Sequence, residues 1–390
     1  MDNDVYFNPT KVFFGKGTEL LVGEEIAKYS QKVLLHYGGG SAERSGLLDR
    51  IRKSLKDAGL AVFELGGVQP NPRLGLIYEG INICRHNGIG FILAVGGGSV
   101  IDSAKAIACG TPNSDDVWDY FLGKKKALAI LPIATVLTIP GAGSESSNGM
   151  VVTREDTMEK MAYEDERSRP VFSVLNPELT YTVPPYHTAA GIVDAFAHIM
   201  ERYFTNTEDV DVTDRMCEGV MKSLLRYGRT AVTDPQNYRA RAETMWACKM
   251  AHDGTLGVGR EEDWASHMIE HELSAKYDVS HGAGLSVIFP AWMKYVYSNK
   301  PERFVQFAMR VFDVEYSFDN QDWTIKEGIK RMMTFFKSLN MPTSLRDLGI
   351  NDKDSLGEMA RRCVEHCGGS VGHFAELGEA DVRNILEIAY

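Results

Sequence analysis

Phe91-Ile-Leu-Ala-Val95-Gly96-Gly97-Gly98-Ser99-Val-Ile101-Asp102-Ser-Ala-Lys105 is the stretch that decides the fold. Five strand-forming apolar residues run without alternation into three glycines, which predicts a strand buried on both faces. Ser99 stands at the N-cap position of the helical segment that follows. The same unit recurs upstream. Lys32-Val-Leu-Leu-His-Tyr37 is an apolar run ended by Gly38-Gly39-Gly40-Ser41, and an amphipathic helix from Gly46 to Gly59 follows with Leu47, Leu48, Ile51 and Leu55 on one face. Ala61 to Leu65 is the next strand, closed by Gly66-Gly67; Pro70-Asn71-Pro72 then leads into a helix from Leu74 to Asn87. Ala127 to Leu137 supplies a further strand. Strand and helix in turn predict a mostly parallel, Rossmann-like α/β sheet covered on both faces.

Such sheets bind ligands beyond the carboxyl ends of their strands, where turns expose backbone N–H groups and helix amino termini. Gly96-Gly97-Gly98-Ser99 is therefore a candidate pyrophosphate cradle or a simple tight turn, since it lacks the G-x-G-x-x-G spacing. Gly38-Gly39-Gly40-Ser41 ends the strand where dinucleotide folds meet the adenosine ribose. An acidic residue there would bond the ribose hydroxyl and repel a 2′-phosphate. Glycine and serine instead admit NADP and give NAD no special hold.

The polar stretch Thr138-Ile-Pro-Gly-Ala-Gly143-Ser144-Glu145 suits either a ligand-wrapping loop or a surface loop. Met150 to Thr153, Lys160 to Tyr163 and Pro170 to Leu175 read as short strands of an antiparallel sheet beside the main one, with Lys160 solvated. After Thr182-Val-Pro-Pro-Tyr the strand pattern ceases. Two domains are expected, residues 1–183 as the α/β dinucleotide-binding domain and 184–390 as an all-α domain of successive amphipathic helices, with a cleft between them.

The helical half carries Gly191-Ile-Val-Asp194-Ala-Phe-Ala-His198, Trp264-Ala-Ser-His267-Met-Ile-Glu-His271, and His281-Gly-Ala-Gly. Asp194 and His198 share a helix face, as do His267 and His271. An Asp four residues ahead of a His is often a buried polar pair. Three histidines within fifteen residues, in a chain with 10, make a metal site an equal reading. One carboxylate and several imidazoles would suit Fe²⁺ or Zn²⁺.

Composition narrows the classes. The net charge of −11 and the lack of a basic stripe argue against nucleic-acid binding. No apolar run is long enough to span a bilayer, and the amino terminus lacks a signal core, so a cytoplasmic location is the expectation. Six cysteines, with no paired short spacing except Cys363-x-x-x-Cys367, do not imply disulfides; that pair reads as a helix end.

With these residues in view, the chain resembles the iron-containing (group III) alcohol dehydrogenases, most closely their NADPH-dependent butanol dehydrogenase and aldehyde reductase branch. Gly96-Gly-Gly-Ser-Val-Ile-Asp102, Gly141-Ala-Gly-Ser-Glu145, the Asp194/His198 helix and Asp263-Trp-Ala-Ser-His267-Met-Ile-Glu-His271 with His281-Gly carry the likeness. The resemblance implies a dehydroquinate synthase-like two-domain architecture. It implies Asp194, His198, His267 and His281 as ligands of Fe²⁺, with Zn²⁺ or Mn²⁺ as substitutes, and His271 beside the nicotinamide and the substrate. For NADP(H) it implies Gly97, Gly98, Ser99 and Asp102 around the pyrophosphate, Asn71 nearby, Thr138 and Ser144 in the nicotinamide loop, and Lys160 on the ribose side. Gly39 aligns where NAD-preferring relatives carry Asp. The family's usual Thr-Gly-Ser-Glu loop is Ala142-Gly143-Ser144-Glu145 here, so the hydroxyl contact expected at position 142 is missing. The implied reaction is hydride transfer between NADP(H) and a small aldehyde or alcohol, by a homodimer. Alternatives are a related lyase of the dehydroquinate synthase kind and a protein that binds nucleotide and metal without turnover.

Overall fold

The computed structural model describes residues 1–390. The chain forms two compact units. One comprises Phe7–Pro184 with Pro235–Lys249, the other Met1–Tyr6, Pro185–Asp234 and Met250–Tyr390. Two short segments thus lie across the single break that the sequence suggests near residue 184. Met1 donates from its amino group to the Glu208 carbonyl at 2.6 Å, and Asp4 accepts from the Gly259 N–H at 2.9 Å, which ties the first residues to the helical unit. Residues 235–249 join the sheet unit through Met245, buried in its core, and Trp246, edge-on to Phe14 at 5.6 Å.

The sheet unit is built on eight strands: β1 (Lys11–Phe14), β2 (Lys32–Gly38), β3 (Ala61–Val68), β4 (Phe91–Gly97), β5 (Ile133–Ile139), β6 (Gly149–Arg154), β7 (Glu159–Glu164) and β8 (Phe172–Leu175). Six of them form one sheet in the order β1-β8-β5-β4-β2-β3, with every pair parallel. Its faces follow the period of two. Val33, Leu35, Leu93 and Val95 pack with Leu48, Ile51 and Leu55 of the helix Leu47–Asp57. Leu34, Ile92 and Ala94 pack with Ile77 and Ile81 of Leu74–Asn87 and Ile101 and Ala104 of Gly98–Gly110. Each of these buried Val, Leu and Ile side chains contributes about 2 kcal/mol of transfer free energy.

Three local expectations are corrected. The run from Pro170 does not join an antiparallel sheet; β8 is an inner parallel strand whose four residues are all buried, and only β6 and β7 pair antiparallel. The strand expected from Ala127 begins at Ile133, because Pro132 offers no N–H and the Asn113 side chain accepts from the Leu128 and Ala129 amides. Ser99 is not the N-cap; Gly97 takes that position in extended backbone, and no side chain caps the helix. The edge strand β1 carries too little apolar pattern to be read from four half-exposed residues.

His36 of β2 is fully buried. Its Nδ1 donates to the Leu65 carbonyl at 2.8 Å, so its Nε2 accepts from the Ser103 hydroxyl at 2.9 Å. Burial lowers its pKa to about 4 from 6.5. The unfolded chain therefore binds a proton here below pH 6.5 while the folded one does not until near pH 4. Stability falls as the pH drops through that window, by roughly 3 kcal/mol from this group. Denaturant midpoints measured from pH 7 to pH 4 should decline less steeply for His36→Gln than for the wild type; parallel curves would show that His36 is not the group responsible.

In the helical unit the segment Pro185–Tyr203 is buried on every side from Thr188 onward. The helix His281–Val296 packs along it. Further along, Phe204, Phe289, Trp292, Phe304, Phe307 and Phe374 form an aromatic core that fixes both. No helix of the chain is long and apolar enough to cross a membrane.

Candidate metal centre and nucleotide cradle

Asp194 and His198 lie one turn apart on the buried helix, His198 Nδ1 standing 3.3 Å from Asp194 Oδ1. His267, on the helix Ala265–Tyr277, brings its ring to 4.6 Å from that of His198. His281 opens the next helix and points Nε2 toward Asp194 Oδ1 at 3.8 Å. One ligand atom each from Asp194, His267 and His281 falls within 4.8 Å of the others. The His198 Nδ1 atom is buried and has no hydrogen-bond partner. His271, one turn beyond His267, places its ring 5.5 Å from that of His281. The four residues expected to hold a metal and the histidine expected beside them are thus brought together.

Two carboxylates that the sequence reading passed over complete the cluster. Glu201 is fully buried, and its Oε1 accepts from both the backbone N–H and Nδ1 of His267, at 3.1 and 2.7 Å, while its Oε2 accepts from the Trp264 N–H at 3.0 Å. Glu270, also fully buried, accepts from His281 Nδ1 on one oxygen and from the Ser274 hydroxyl on the other. A hydrogen on Nδ1 leaves Nε2 as the lone-pair nitrogen, the tautomer a metal ligand needs. Arg202 is missed as well: it donates to the His198 carbonyl at 2.9 Å and to His252 Nδ1 at 3.1 Å, and His252 lies 4.3 Å from His198, ring to ring. The available signal was Glu201 and Arg202 three and four residues after His198, polar groups on an otherwise apolar helix.

The electrostatics suit a cation. Loss of water pushes the Glu201 carboxyl up to about 8 and Asp263 up to about 7, with Glu201 adding to the latter. Burial, then the neighbouring His252, holds His198 well below 6.5, so it stays neutral with its lone pairs available. Buried acids held together with neutral imidazoles have the donor chemistry that borderline divalent metals prefer, and the residues present fit one. Trp264 enters this arrangement in left-handed backbone, φ +66°, its indole 5.0 Å from His267.

In the sheet unit, β2 leads outward to β3 while β4 lies on its other side and leads to β5, so the strand order reverses between β2 and β4. Both glycine turns sit at that crevice: Gly38 would carry a Cβ 3.5 Å from Val100, and Tyr37 pairs with Val95. A Cβ on Gly98 would stand 2.8 Å from that of Ala142, and one on Gly97 3.1 Å from that of Ile139. Only backbone fits there, as a phosphate cradle requires. Gly39 faces open space, Gly40 has φ +106°, and Ser41 is exposed. Thr138 lies at the end of β5, next to Ile139, which pairs with Gly97.

Asp102 and Ser144 are joined to each other, the serine hydroxyl donating at 2.5 Å, and the second Asp102 oxygen accepts from the Val151 N–H at 3.1 Å. Their side chains thereby fix the loop from beneath. Fully buried Lys105, another residue the sequence reading passed over, adds bonds to the Ser147 and Gly149 carbonyls, both at 2.8 Å. Burial lowers its pKa to about 8. Asn71 is buried in left-handed backbone, φ +52°, and Pro72 beside it accepts from Thr153, which pairs with Lys160. Lys160 is not solvated; it is buried, because the β6–β7 hairpin folds back onto the unit.

Comparison with known proteins places the chain in a family. Residues 9–177 match the family described as iron-containing alcohol dehydrogenase, and residues 188–390 match its carboxyl-terminal counterpart. The chain is 41% identical over 386 residues to NADH-dependent butanol dehydrogenase A of Clostridium acetobutylicum, covering 99% of each. It is 36% identical over 392 residues to the NADPH-dependent aldehyde reductase YqhD of Escherichia coli, covering 100% of each. The solved structure of NADH-dependent butanol dehydrogenase A from Thermotoga maritima superposes with a TM-score of 0.96 at 38% identity, covering 100% of this chain and 99% of that one. The paired motifs, the fold and these full-length likenesses together make the chain a member of the iron-containing alcohol dehydrogenase family.

Proposed function

We propose that the protein reduces small aldehydes to alcohols with NADPH, using a divalent metal, Fe²⁺ by family, held by Asp194, His198, His267 and His281. The convergence of Asp194, His267 and His281 inside a buried shell is the observation that carries this reading. A bound cation would supply Lewis acidity to the substrate oxygen, and a bound nicotinamide the hydride. Asp194 contributes the one formal negative charge among the ligands, and the neutral imidazoles leave the cation most of its charge. Glu201 and Glu270 hold His267 and His281 in the ligating tautomer. His271, a ring whose ordinary pKa lies near neutrality, is the relay for the proton that the alcohol oxygen takes up. Gly97, Gly98 and Ser99 offer backbone N–H groups to the pyrophosphate, with Asn71, Thr138 and Lys160 on the nucleoside sides.

The preference for NADPH rests on Gly38-Gly39-Gly40-Ser41, where no carboxylate opposes a 2′-phosphate. The names of the relatives divide, NADH for the butanol dehydrogenases and NADPH for YqhD. Steady-state kinetics on short aldehydes should give kcat/KM higher with NADPH than NADH by at least about tenfold; equal or better use of NADH would refute the preference and leave the metal site standing. A homodimer, on the family resemblance alone, and a cytoplasmic location, on the sequence alone, complete the reading. The lyase alternative is not favoured by relatives that are alcohol dehydrogenases and aldehyde reductases over their full length.

A further inference from the structure

The imidazoles around Asp194 are not equivalently supported. His267 and His281 each turn Nδ1 to a fully buried carboxylate, Glu201 and Glu270. A carboxylate behind an imidazole fixes its rotation and tautomer and raises its basicity toward a metal. His198 has no such partner. Its Nδ1 makes no hydrogen bond, and the one carboxylate near it is Asp194 itself. His252, its ring 4.3 Å away, accepts at Nδ1 from Arg202, so His252 is neutral with its hydrogen on Nε2. Arg202 also holds the His198 carbonyl. Arg202 is itself paired with Glu262 at 2.9 Å, so that side offers His198 no carboxylate of the kind that supports the other two rings.

We propose that the cation is held on an unequal set. Asp194, His267 and His281 carry most of the affinity, His198 is a weak fourth ligand, and Glu201 and Glu270 are the positioning residues that set the difference. This rests on the metal reading given above. The ligand atoms of Asp194, His267 and His281 lie within 4.8 Å of one another, as do those of Glu270, His271 and His281; His198 is in neither group.

Glu270→Gln is the clean variant. Its carbonyl oxygen can accept from His281 Nδ1 and its amide can donate to the Ser274 oxygen, so the shape and both bonds survive while the charge is lost. Glu201→Gln is harsher, because Oε1 and Oε2 both accept N–H donors and an amide would face one of them. The full-length apo-protein is titrated with Co²⁺ and with Zn²⁺, and dissociation constants, the visible absorption of the Co²⁺ form and apo-protein melting are recorded. Glu270→Gln should weaken binding by about 10- to 100-fold, with a shifted Co²⁺ spectrum and unchanged apo melting. His198→Ala should still take up one equivalent, weakened by less than His281→Ala. Binding by Glu270→Gln equal to wild type, or loss of the cation from His198→Ala as complete as from His281→Ala, would overturn the proposal. Failure of the wild type to bind either ion would instead remove the metal reading beneath it.

Discussion

His267→Ala should remove bound metal and turnover together, with kcat/KM falling on the order of 10³-fold or more, the scale of losing an electrostatic stabiliser of the reacting oxygen. The substitution deletes a ligating nitrogen and leaves Glu201 fully buried with its Oε1 stripped of the 2.7 Å ring bond. Asp194→Asn tests the same centre from the other side, keeping the shape and losing the formal charge. Elemental analysis after dialysis against excess Fe²⁺ or Zn²⁺, followed by assay with NADPH and a short aldehyde, measures both effects. A His267→Ala protein that keeps a full equivalent of metal and turns over within tenfold of wild type would take His267 out of the centre.

The second large effect is expected at Gly282, directly after His281. A Cβ there would overlap the Ala190 carbonyl oxygen and stand 2.7 Å from its carbon, which are backbone atoms of the helix that carries Asp194. Backbone cannot rotate aside as a side chain can, so Gly282→Ala must push the two ligand-bearing helices apart. Overpacking of this kind costs about 1–3 kcal/mol, and in a cooperative unit of about 200 residues, the size of the helical unit, each kcal/mol lowers the melting temperature by roughly 2–4 °C. Separation of His281 from Asp194 should also lower metal content. Gly39→Ala is the control, because a Cβ there meets nothing within 4 Å. Differential scanning calorimetry of the apo-proteins should place Gly39→Ala near wild type and Gly282→Ala several degrees lower; a Gly282→Ala protein with wild-type melting and full metal would show that the helices tolerate the added methyl.

Much of this was legible in the sequence because it is local. Helical spacing placed Asp194 with His198, and strand-to-glycine junctions placed both turns at strand ends. The helix Leu74–Asn87 falls where the sequence put it. What was not legible depends on partners distant in the chain. Glu201 takes its meaning from His267, 66 positions later; its place on an apolar helix marks it as unusual, but the sequence does not name that partner. Glu270 lies beside His271 in the chain, but its partner is His281, eleven positions on. Lys160 reads as exposed because lysine usually is; only the folded hairpin covers it. β8 was misplaced because a short apolar run carries no mark of parallel or antiparallel pairing.

The interleaving of the two units has a consequence for how the protein can be made. Neither is a continuous piece of chain: the sheet unit lacks residues 235–249 until well after its last strand has been translated, and Met1–Tyr6 finds its partners at residues 207–208 and 259. During vectorial synthesis the amino-terminal sheet therefore leaves the ribosome without Met245 to close its core, and the first six residues stay unattached until more than half of the polypeptide exists. Splitting the gene at codon 184 would strand both pieces, so expression of isolated halves should give poorly folded products even though each contains a recognisable family segment.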